Sequence, residues 1–221
     1  MIYITGDTHG AYNDLVNRLA PYSPSPSDTV IVAGDFGFIW SPADTRSLEQ
    51  VKALPYTVAF VDGNHENFDM LGTFPVEEWH GGNIHRISDN VIHLMRGQLF
   101  EIEGKTIFTM GGAYSVDKMM RKEGRSWWRA ELPSDEEYRT AAATLEKCGY
   151  KMDCIITHTL PSSAIIRLVQ QPDIHDMELT GFLEWLYRKA EFKMWFGGHF
   201  HEDRQITDDI CELYESVREI E

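Results

Sequence analysis

Aspartate, asparagine and histidine residues occur in five short polar clusters along this chain, each directly after an apolar run. The first cluster reads Gly-Asp-Thr-His-Gly at 6–10, and the last reads Gly-His-Phe-His at 198–201. Carboxylate and amide oxygens and imidazole nitrogens suit Mn, Fe, Zn or Ni ions. The pattern therefore predicts a centre for two divalent metal ions. Its seven candidate ligands are Asp7, His9, Asp35, Asn64, His158, His199 and His201.

The spacing of these ligands suits the ends of β-strands. Asp7 and His9 are two residues apart, as are His199 and His201, and side chains at that spacing point to the same face of an extended chain. Glycines at 6, 34, 63 and 198 precede ligands and allow a sharp turn or close packing where a Cβ would be in the way. We expect the ligands to gather at the carboxyl ends of strands, where an α/β protein opens a crevice.

The chemistry that such a centre supports is phosphoester hydrolysis. Two divalent ions about 3.5–4 Å apart hold the attacking and leaving oxygens of an in-line phosphoryl displacement and lower the pKa of a shared water. A positioned imidazole can then protonate the leaving oxygen, which contributes a rate factor of about 10² to 10⁴.

In the order and type of these residues the chain resembles the calcineurin-like metallophosphoesterase superfamily. The shared pattern, Asp-x-His, Gly-Asp, Gly-Asn-His-Glu, His and Gly-His-x-His, runs from residue 6 to residue 201. The resemblance implies two divalent ions, Mn first and Fe, Zn or Ni as alternatives, and attack by a metal-bridging hydroxide. The implied ligands are Asp7, His9 and His201 for one metal, Asn64, His158 and His199 for the other, and Asp35 for both. His65 lies beside the metals in this pattern and is the candidate general acid.

A layered α/β fold is expected, with residues 1–221 forming a single domain. Helices are predicted after His9, after Pro42, from the Ser134–Glu137 capping box to Gly149, and around Phe182 to Leu186. Three β runs within 91–110 predict an antiparallel meander. The resemblance implies the full architecture, a four-layer αββα sandwich of two mixed β-sheets flanked by helices.

The formal net charge of −15 makes duplex nucleic acid an unfavourable partner, because binding to many phosphates requires a basic surface. A small phosphoester or nucleotide is the expected substrate. Met1 leads directly into the first apolar run, and no apolar run has the length of a membrane span. We therefore expect a cytoplasmic protein without a membrane partner, and the pattern indicates no oligomeric state.

Differences from relatives of the superfamily narrow the substrate. Serine/threonine phosphatases carry one arginine soon after the bridging aspartate and another after the Gly-Asn-His-Glu motif, and the stretches 36–40 and 67–68 contain neither. Phe38 stands where purple acid phosphatases have a tyrosine. The preferred hypothesis is hydrolysis of a small phosphodiester or nucleotide. The alternatives are a phosphomonoesterase, protein phosphatases included, and a non-catalytic binding scaffold, which the complete ligand set disfavours.

The segment 118–129 carries five cations and one glutamate in an otherwise acidic chain. Arg121, Arg125 and Arg129 could each fork onto phosphate oxygens, and Trp127 or Trp128 could stack a base. The candidate substrate-binding residues are Arg125, Trp127, Trp128 and Arg129, with Arg125 or Arg129 expected to face the metals. The alternative is a surface loop whose tryptophans fill an apolar gap and whose cations pair with acidic neighbours.

Glu66 directly follows His65 in the third cluster. Its carboxylate could orient the His65 imidazole. An exposed glutamate at the start of a helix is the preferred interpretation, because negative charge is favourable there.

Overall fold

The chain contains both helices and β-strands, and the computed structural model describes residues 1–43, 45–169 and 174–220, the side chain of Ile174 excepted. The helices in these ranges are α1 (Tyr12–Leu19), α2 (Arg46–Lys52), α3 (Phe68–Leu71), α4 (Asp135–Lys147), α5 (Ser162–Leu168) and α6 (Met177–Lys189). Short 3₁₀ turns lie at Lys118–Met120, Arg129–Glu131 and Ile174–Asp176. None of these helices combines the length and the apolar character that a membrane crossing requires.

The strands are β1 (Ile2–Thr5), β2 (Thr29–Ala33), β3 (Thr57–Val61), β4 (Val76–Trp79), β5 (Gly82–Arg86), β6 (Val91–Leu94), β7 (Gln98–Ile102), β8 (Lys105–Met110), β9 (Cys154–Thr157), β10 (Met194–Gly197), β11 (Arg204–Gln205), β12 (Ile210–Glu212) and β13 (Val217–Ile220). They form two mixed sheets. The first has the order β13-β1-β2-β3-β6-β5-β4 and is parallel from β1 to β6. The second has the order β11-β12-β10-β9-β8-β7 and is parallel from β12 to β8.

Three apolar clusters separate four layers. Ile4 and Ile31 of the first sheet pack with Ile156 of the second, so that one cluster fills the space between the sheets. A second cluster joins the other face of the first sheet to α1, α2 and α3. A third joins the other face of the second sheet to α4, α5 and α6. The predicted αββα sandwich of two mixed sheets is therefore confirmed.

The four predicted helices are present as α1, α2, α4 and α6. At the start of α4 the Ser134 hydroxyl accepts the N–H of Glu137 at 3.3 Å, and the Glu137 carboxylate accepts the N–H of Ser134 at 2.7 Å. Two N–H groups that the helix cannot pair are satisfied in this way. The helix ends two residues before Gly149, whose φ of +63° a glycine adopts without strain.

The predicted meander over 91–110 is wrong in one respect. β7 and β8 pair antiparallel, but β6 lies in the first sheet between β3 and β5. Residues 95–97 carry the chain from one sheet to the other, and Gly97 at φ +70° donates its N–H to the carbonyl of Thr109 at 2.8 Å. All four residues of β6 are buried, which suits an inner strand with both faces covered. An apolar run predicts a strand but does not specify its partner.

Candidate active site

All seven candidate ligands follow parallel strands at their carboxyl ends. Four come after strands of the first sheet, and His158, His199 and His201 come after β9 and β10 of the second. The structure brings donor atoms of Asp7, His9 and His201 within 4.8 Å of one another, and likewise those of Asp7, Asp35 and His158. The edge where both sheets end is therefore the candidate site.

The first donor set surrounds one oxygen of Asp7. His201 Nε2 lies 3.1 Å from Asp7 Oδ2, and His9 Nε2 lies 3.7 Å from the same oxygen. The two Nε2 atoms are 3.0 Å apart. Asp7 Oδ2 is buried, and no hydrogen-bond donor in the described residues meets it with suitable geometry. A buried carboxylate oxygen is stabilised by a positive charge, and these three residues offer the donors that a divalent metal ion takes.

The second donor set is centred on His158. Its Nε2 lies 3.2 Å from Asn64 Oδ1 and 3.3 Å from Asp35 Oδ1. Its Nδ1 donates to the carbonyl of Ala33 at 3.0 Å, which leaves Nε2 as the nitrogen directed at a metal. The ring of His199 packs edge-on against that of His158 with centroids 5.0 Å apart.

The amide of Asn64 is oriented by a residue for which the sequence gives no signal. Asn64 Nδ2 donates to the hydroxyl of Ser115 at 3.2 Å, so the carbonyl oxygen of the amide turns toward His158. Ser115 is itself buried. It comes from the loop after β8, at the end of the second sheet.

Asp35 lies between the two donor sets. Its Oδ1 is 3.3 Å from His158, and its Oδ2 is 3.9 Å from His9 Nδ1. Burial alone would raise the pKa of Asp35, but His158 and His65 hold it below its usual value. The group is therefore a carboxylate, which is the form that shares its two oxygens between two metal ions.

The pKa values of the two histidines of the second donor set shift in opposite directions. Burial, together with the neighbouring His158, lowers the pKa of His199 to about 4, so its imidazole is neutral. Burial also acts to lower the pKa of His158, but the carboxylates of Asp35 and Asp7 raise it overall. These carboxylates would favour a metal cation at the same place for the same electrostatic reason.

Two glycines make room for this arrangement. A Cβ on Gly34 would lie 1.9 Å from His158 Nδ1, and a Cβ on Gly63 would lie 2.0 Å from Asp35 Oδ1. Neither position can carry a side chain without moving a candidate ligand. The predicted close packing at these glycines is confirmed.

The backbone is left-handed at four of the candidate ligands. The φ angles are +46° at His9, +44° at Asp35, +82° at His199 and +54° at His201. Residues with a Cβ rarely adopt such angles, and each instance costs on the order of 1–3 kcal/mol. The loops after β1, β2 and β10 therefore hold their ligands in a conformation that surrounding contacts must impose.

The imidazole of His65 is held against Asp35 and faces the cleft. His65 Nδ1 lies 2.9 Å from Asp35 Oδ2, and the backbone N–H of His65 donates to Asp35 Oδ1 at 2.7 Å. Its Nε2 contacts the guanidinium of Arg121. Because a guanidinium only donates hydrogen bonds, we assign Nε2 as the acceptor and Nδ1–H as the donor to Asp35.

Glu66 is buried, so its predicted exposed position is wrong. Its Oε1 accepts the N–H of Phe36 at 2.7 Å, and its Oε2 accepts the N–H of Gly37 at 3.3 Å. Two backbone donors after Asp35 would otherwise lack acceptors inside the protein. Burial, with added repulsion from Asp35, raises the pKa of Glu66 well above its usual value. The residue braces the loop that carries Asp35, and no hydrogen bond to His65 is found within the described ranges.

A cleft of about 480 Å³ opens beside the donor sets. Its lining includes the aromatic residues Phe38 and Trp40 and the candidate ligand His9. It also includes His65 and, from the segment 118–129, Arg121 and Ser126. Apolar surface with a few polar groups is typical of small-molecule sites.

The four candidate substrate-binding residues of the basic loop lie elsewhere. Trp128 is buried, where its Nε1 donates to Asp69 at 2.8 Å, and Arg129 is exposed and pairs with Glu123 at 2.6 Å. Arg125 is exposed and Trp127 half-buried, and neither lines the cleft. The expectation that Arg125 or Arg129 faces the candidate ligands stays a prediction, and the lining of this cleft does not support it. Trp128 and Arg129 follow the alternative, in which the loop packs and pairs at the surface.

The αββα fold and the Asp, Asn and His donors at its strand ends define a metal-dependent phosphoesterase class. The chain belongs to the family described as calcineurin-like phosphoesterase, whose sequence model matches residues 1–203.

Solved structures with a similar fold share little sequence with this chain. A candidate 5′-nucleotidase from Staphylococcus aureus is 12% identical, with a TM-score of 0.49, over 98% of this chain and 49% of that protein. The phosphopantetheinyl hydrolase PptH from Mycobacterium tuberculosis is 16% identical, with a TM-score of 0.45, over 96% and 88% of the two chains. A serine/threonine phosphatase from Saccharomyces cerevisiae is 14% identical, with a TM-score of 0.41, over 96% and 66%.

At these values the likeness concerns the fold alone. The chain spans about half the length of the staphylococcal protein. No curated protein sequence matches the chain.

Proposed function

We propose that this protein hydrolyses small phosphoesters with two divalent metal ions bound at the ends of its sheets. The observation that carries the proposal is the position of Asp35, with one oxygen 3.3 Å from His158 and the other 3.9 Å from His9. A carboxylate so placed can serve both donor sets. The proposed ligands are Asp7, His9 and His201 for one ion, Asn64, His158 and His199 for the other, and Asp35 for both.

The protein's own groups have distinct tasks in this proposal. Two bound ions would supply charge for a phosphoryl group and a water that is nucleophilic near neutral pH. Asp35 orients His65 through the 2.9 Å contact with its Nδ1, and the imidazole, once it has taken up a second proton at Nε2 from solvent, gives that proton to the leaving oxygen. Ser115 and the Ala33 carbonyl hold Asn64 and His158 in their orientations. Mn is the proposed ion, and Fe, Zn and Ni suit the same donors.

The cleft favours a small substrate. Its volume of about 480 Å³ suits a compact ester, and the net charge of −15 repels a long polyanion. A small phosphodiester or nucleotide is one candidate, and the half-exposed Trp40 in the lining of the cleft supports it, because a second ester group or a base can pack against its ring. A phosphomonoester is the other candidate. The stretches 36–40 and 67–68 contain no arginine, but Arg121 places a guanidinium in the lining of the cleft and so supports this candidate.

Metal analysis and a substrate panel test the proposal together. The purified protein, loaded with Mn²⁺ and dialysed, should carry two ions per chain. It should hydrolyse bis-p-nitrophenyl phosphate, p-nitrophenyl phosphate or a cyclic nucleotide, and EDTA should abolish the turnover. A protein with both ions bound and no turnover of any ester would contradict the proposed function.

A further inference from the structure

Arg121 differs from the other cations of its loop in what its side chain meets. It lines the cleft and touches His65 Nε2, and its side chain is 19% exposed. By contrast, Arg129 is 83% exposed and neutralised by Glu123. Within the basic loop, Arg121 is therefore the arginine whose charge is directed at the candidate active site.

The partners of Arg121 leave its charge incompletely neutralised. Its Nη2 pairs with one carboxylate, Asp117, at 2.8 Å, and Asp117 is itself 38% exposed. Arg96 of the same protein differs, because its charge is paired inside the fold. It is buried, and its guanidinium meets the two carboxylates of Asp62 and Glu137. The other partners of Arg121 are the imidazole of His65 and, at 3.4 Å, the carbonyl of Ser126. A charged oxygen is a stronger acceptor for a guanidinium than either of these neutral groups.

The loop that carries Arg121 is fixed at several points. The Ser115 N–H donates to Glu131 Oε1 at 3.2 Å, and the Ala113 N–H donates to the carbonyl of Glu131 at 3.2 Å. Trp128 is fastened to Asp69 at 2.8 Å. These contacts tie the two ends of the loop to each other and to α3, and within the loop Asp117 and the Ser126 carbonyl hold the guanidinium of Arg121. A cation fixed in this way loses little freedom when it binds an anion.

We infer that Arg121 binds a non-bridging phosphoryl oxygen of the substrate and thereby selects phosphomonoesters over phosphodiesters. The inference rests on the proposed function. A phosphodiester has two oxygens that carry no ester group, and the two metal positions can take both. A phosphomonoester has a third, charged oxygen, and Arg121 is the group that can meet it. An oxygen in that place also takes Arg121 away from His65 Nε2, which leaves the nitrogen free to face the leaving group.

Kinetics of Arg121→Ala on two substrate classes test the inference. The loss in kcat/KM should be about 10²- to 10³-fold for p-nitrophenyl phosphate and less than about 10-fold for bis-p-nitrophenyl phosphate. Arg121→Lys keeps the positive charge but lacks the paired N–H donors of a guanidinium. It should therefore retain more monoesterase activity than Arg121→Ala. Lys122→Ala removes the neighbouring exposed cation of the same loop and should leave both activities unchanged.

A binding measurement gives a second readout. Calorimetric titration of the Mn²⁺-loaded protein with inorganic phosphate should show affinity weakened at least about 10-fold in Arg121→Ala, while metal content and melting temperature stay at wild-type values. Equal losses for both esters, or unchanged phosphate affinity, would overturn the inference. If the alanine variant melts early, Arg121→Gln repeats both measurements with a side chain of similar size. A wild-type protein with two ions and no turnover refutes the proposed function, whereas an active wild type with an unaffected variant refutes the role of Arg121 alone.

Discussion

A single carboxylate, Asp35, connects the two donor sets of the candidate site. It is buried, and the imidazoles of His158 and His65 hold its pKa below the usual value against the effect of burial. Its charge is therefore available to both proposed metal positions near neutral pH. Loss of that charge affects both positions, whereas loss of a ligand such as His201 affects one directly.

The variant Asp35→Asn is expected to weaken both metal positions together, each by about 10-fold or more, because an amide offers one neutral oxygen where the carboxylate offers two charged ones. Elemental analysis after dialysis against graded Mn²⁺ measures the effect. Asp14→Asn, at an exposed position of α1, is the matched control. Retention of one ion at wild-type affinity would count against a bridging role for Asp35.

The variant His65→Ala is expected to keep both metal ions and to lose turnover. The loss should reach about 10² to 10⁴ for alkyl phosphates and should be smaller for p-nitrophenyl esters, because a stable leaving anion needs no proton. Steady-state kinetics on the two ester types measures the difference. His80→Ala, at an exposed histidine, serves as the control. Equal losses for both ester types would assign His65 to phosphate binding instead of proton transfer.

Residue type and spacing predict the candidate ligands, but they do not predict that Arg121 lines the cleft beside them. Asp, Asn and His at strand ends are recognisable because these residue types bind metal ions. Among the loop cations, by contrast, Arg121, Arg125 and Arg129 are equivalent in sequence. What separates them is the loop's conformation, which depends on the Trp128–Asp69 and Ser115–Glu131 hydrogen bonds. Such distant partners leave no local pattern.

At the scale of elements, strand ends and capping signals were predictable because they depend on neighbouring residues. Ser134 and Glu137 form their capping box within a single helical turn. The pairing of β6 was not predictable in this way, because its partner β3 lies some 30 residues earlier in the chain. The exposed position expected for Glu66 failed for the same reason, since its partners Phe36 and Gly37 belong to another loop.

Asp153 links three elements and gives the fold a testable dependence on pH. The Lys193 ammonium, bonded at 2.6 Å, and the Thr106 N–H, bonded at 2.9 Å, lower the pKa of Asp153 to about 2 from its ordinary 3.8. A lowered carboxyl pKa stabilises the folded state above the unfolded value. That stabilisation is lost as the pH falls from about 4 toward 2.

The variant Asp153→Asn is expected to lower the free energy of unfolding at pH 7 by up to about 2 kcal/mol. The difference from the wild type should narrow as the pH falls from about 4 toward 2, because Asp153 of the unfolded wild type takes up a proton there while that of the folded protein stays ionised. Urea unfolding in EDTA, measured from pH 7 to pH 3, follows the difference. Asp208→Asn, at an exposed turn position, is the control. A difference that stays constant over this range would contradict the account.

At the scale of the whole molecule, the proposed metal ions join the two sheets. Four candidate ligands follow strands of the first sheet and three follow strands of the second, and each donor set draws on both. Apolar packing between the sheets and metal binding at their ends therefore favour the same arrangement. That residues 1–221 form one domain stays a prediction, which cooperative unfolding would support.

Metal removal is expected to lower the stability of the protein. Free Mn²⁺ at about 100 times its dissociation constant should add about 2.7 kcal/mol for one site. The melting temperature should therefore rise with Mn²⁺ concentration and fall in EDTA, as followed by circular dichroism. His201→Ala should flatten the rise. If the melting temperature of the wild type does not change with Mn²⁺ concentration, the proposal that bound metal ions join the two sheets is contradicted.

The backbone is left-handed at His9, Asp35, His199 and His201. This conformation lowers the stability of the metal-free protein while it places the proposed metal ligands. Asparagine accepts φ angles near +46° more readily than histidine does, and the side chain of His9, which is 32% exposed, meets chiefly two other candidate site residues, His65 and His201. His9→Asn should therefore raise the melting temperature of the metal-free protein by about 2 °C, while it reduces the gain from added Mn²⁺. Laboratory evolution for thermostability in the presence of a chelator would then be expected to substitute these candidate ligands first. The product would be a protein with a higher melting temperature and no phosphoesterase activity.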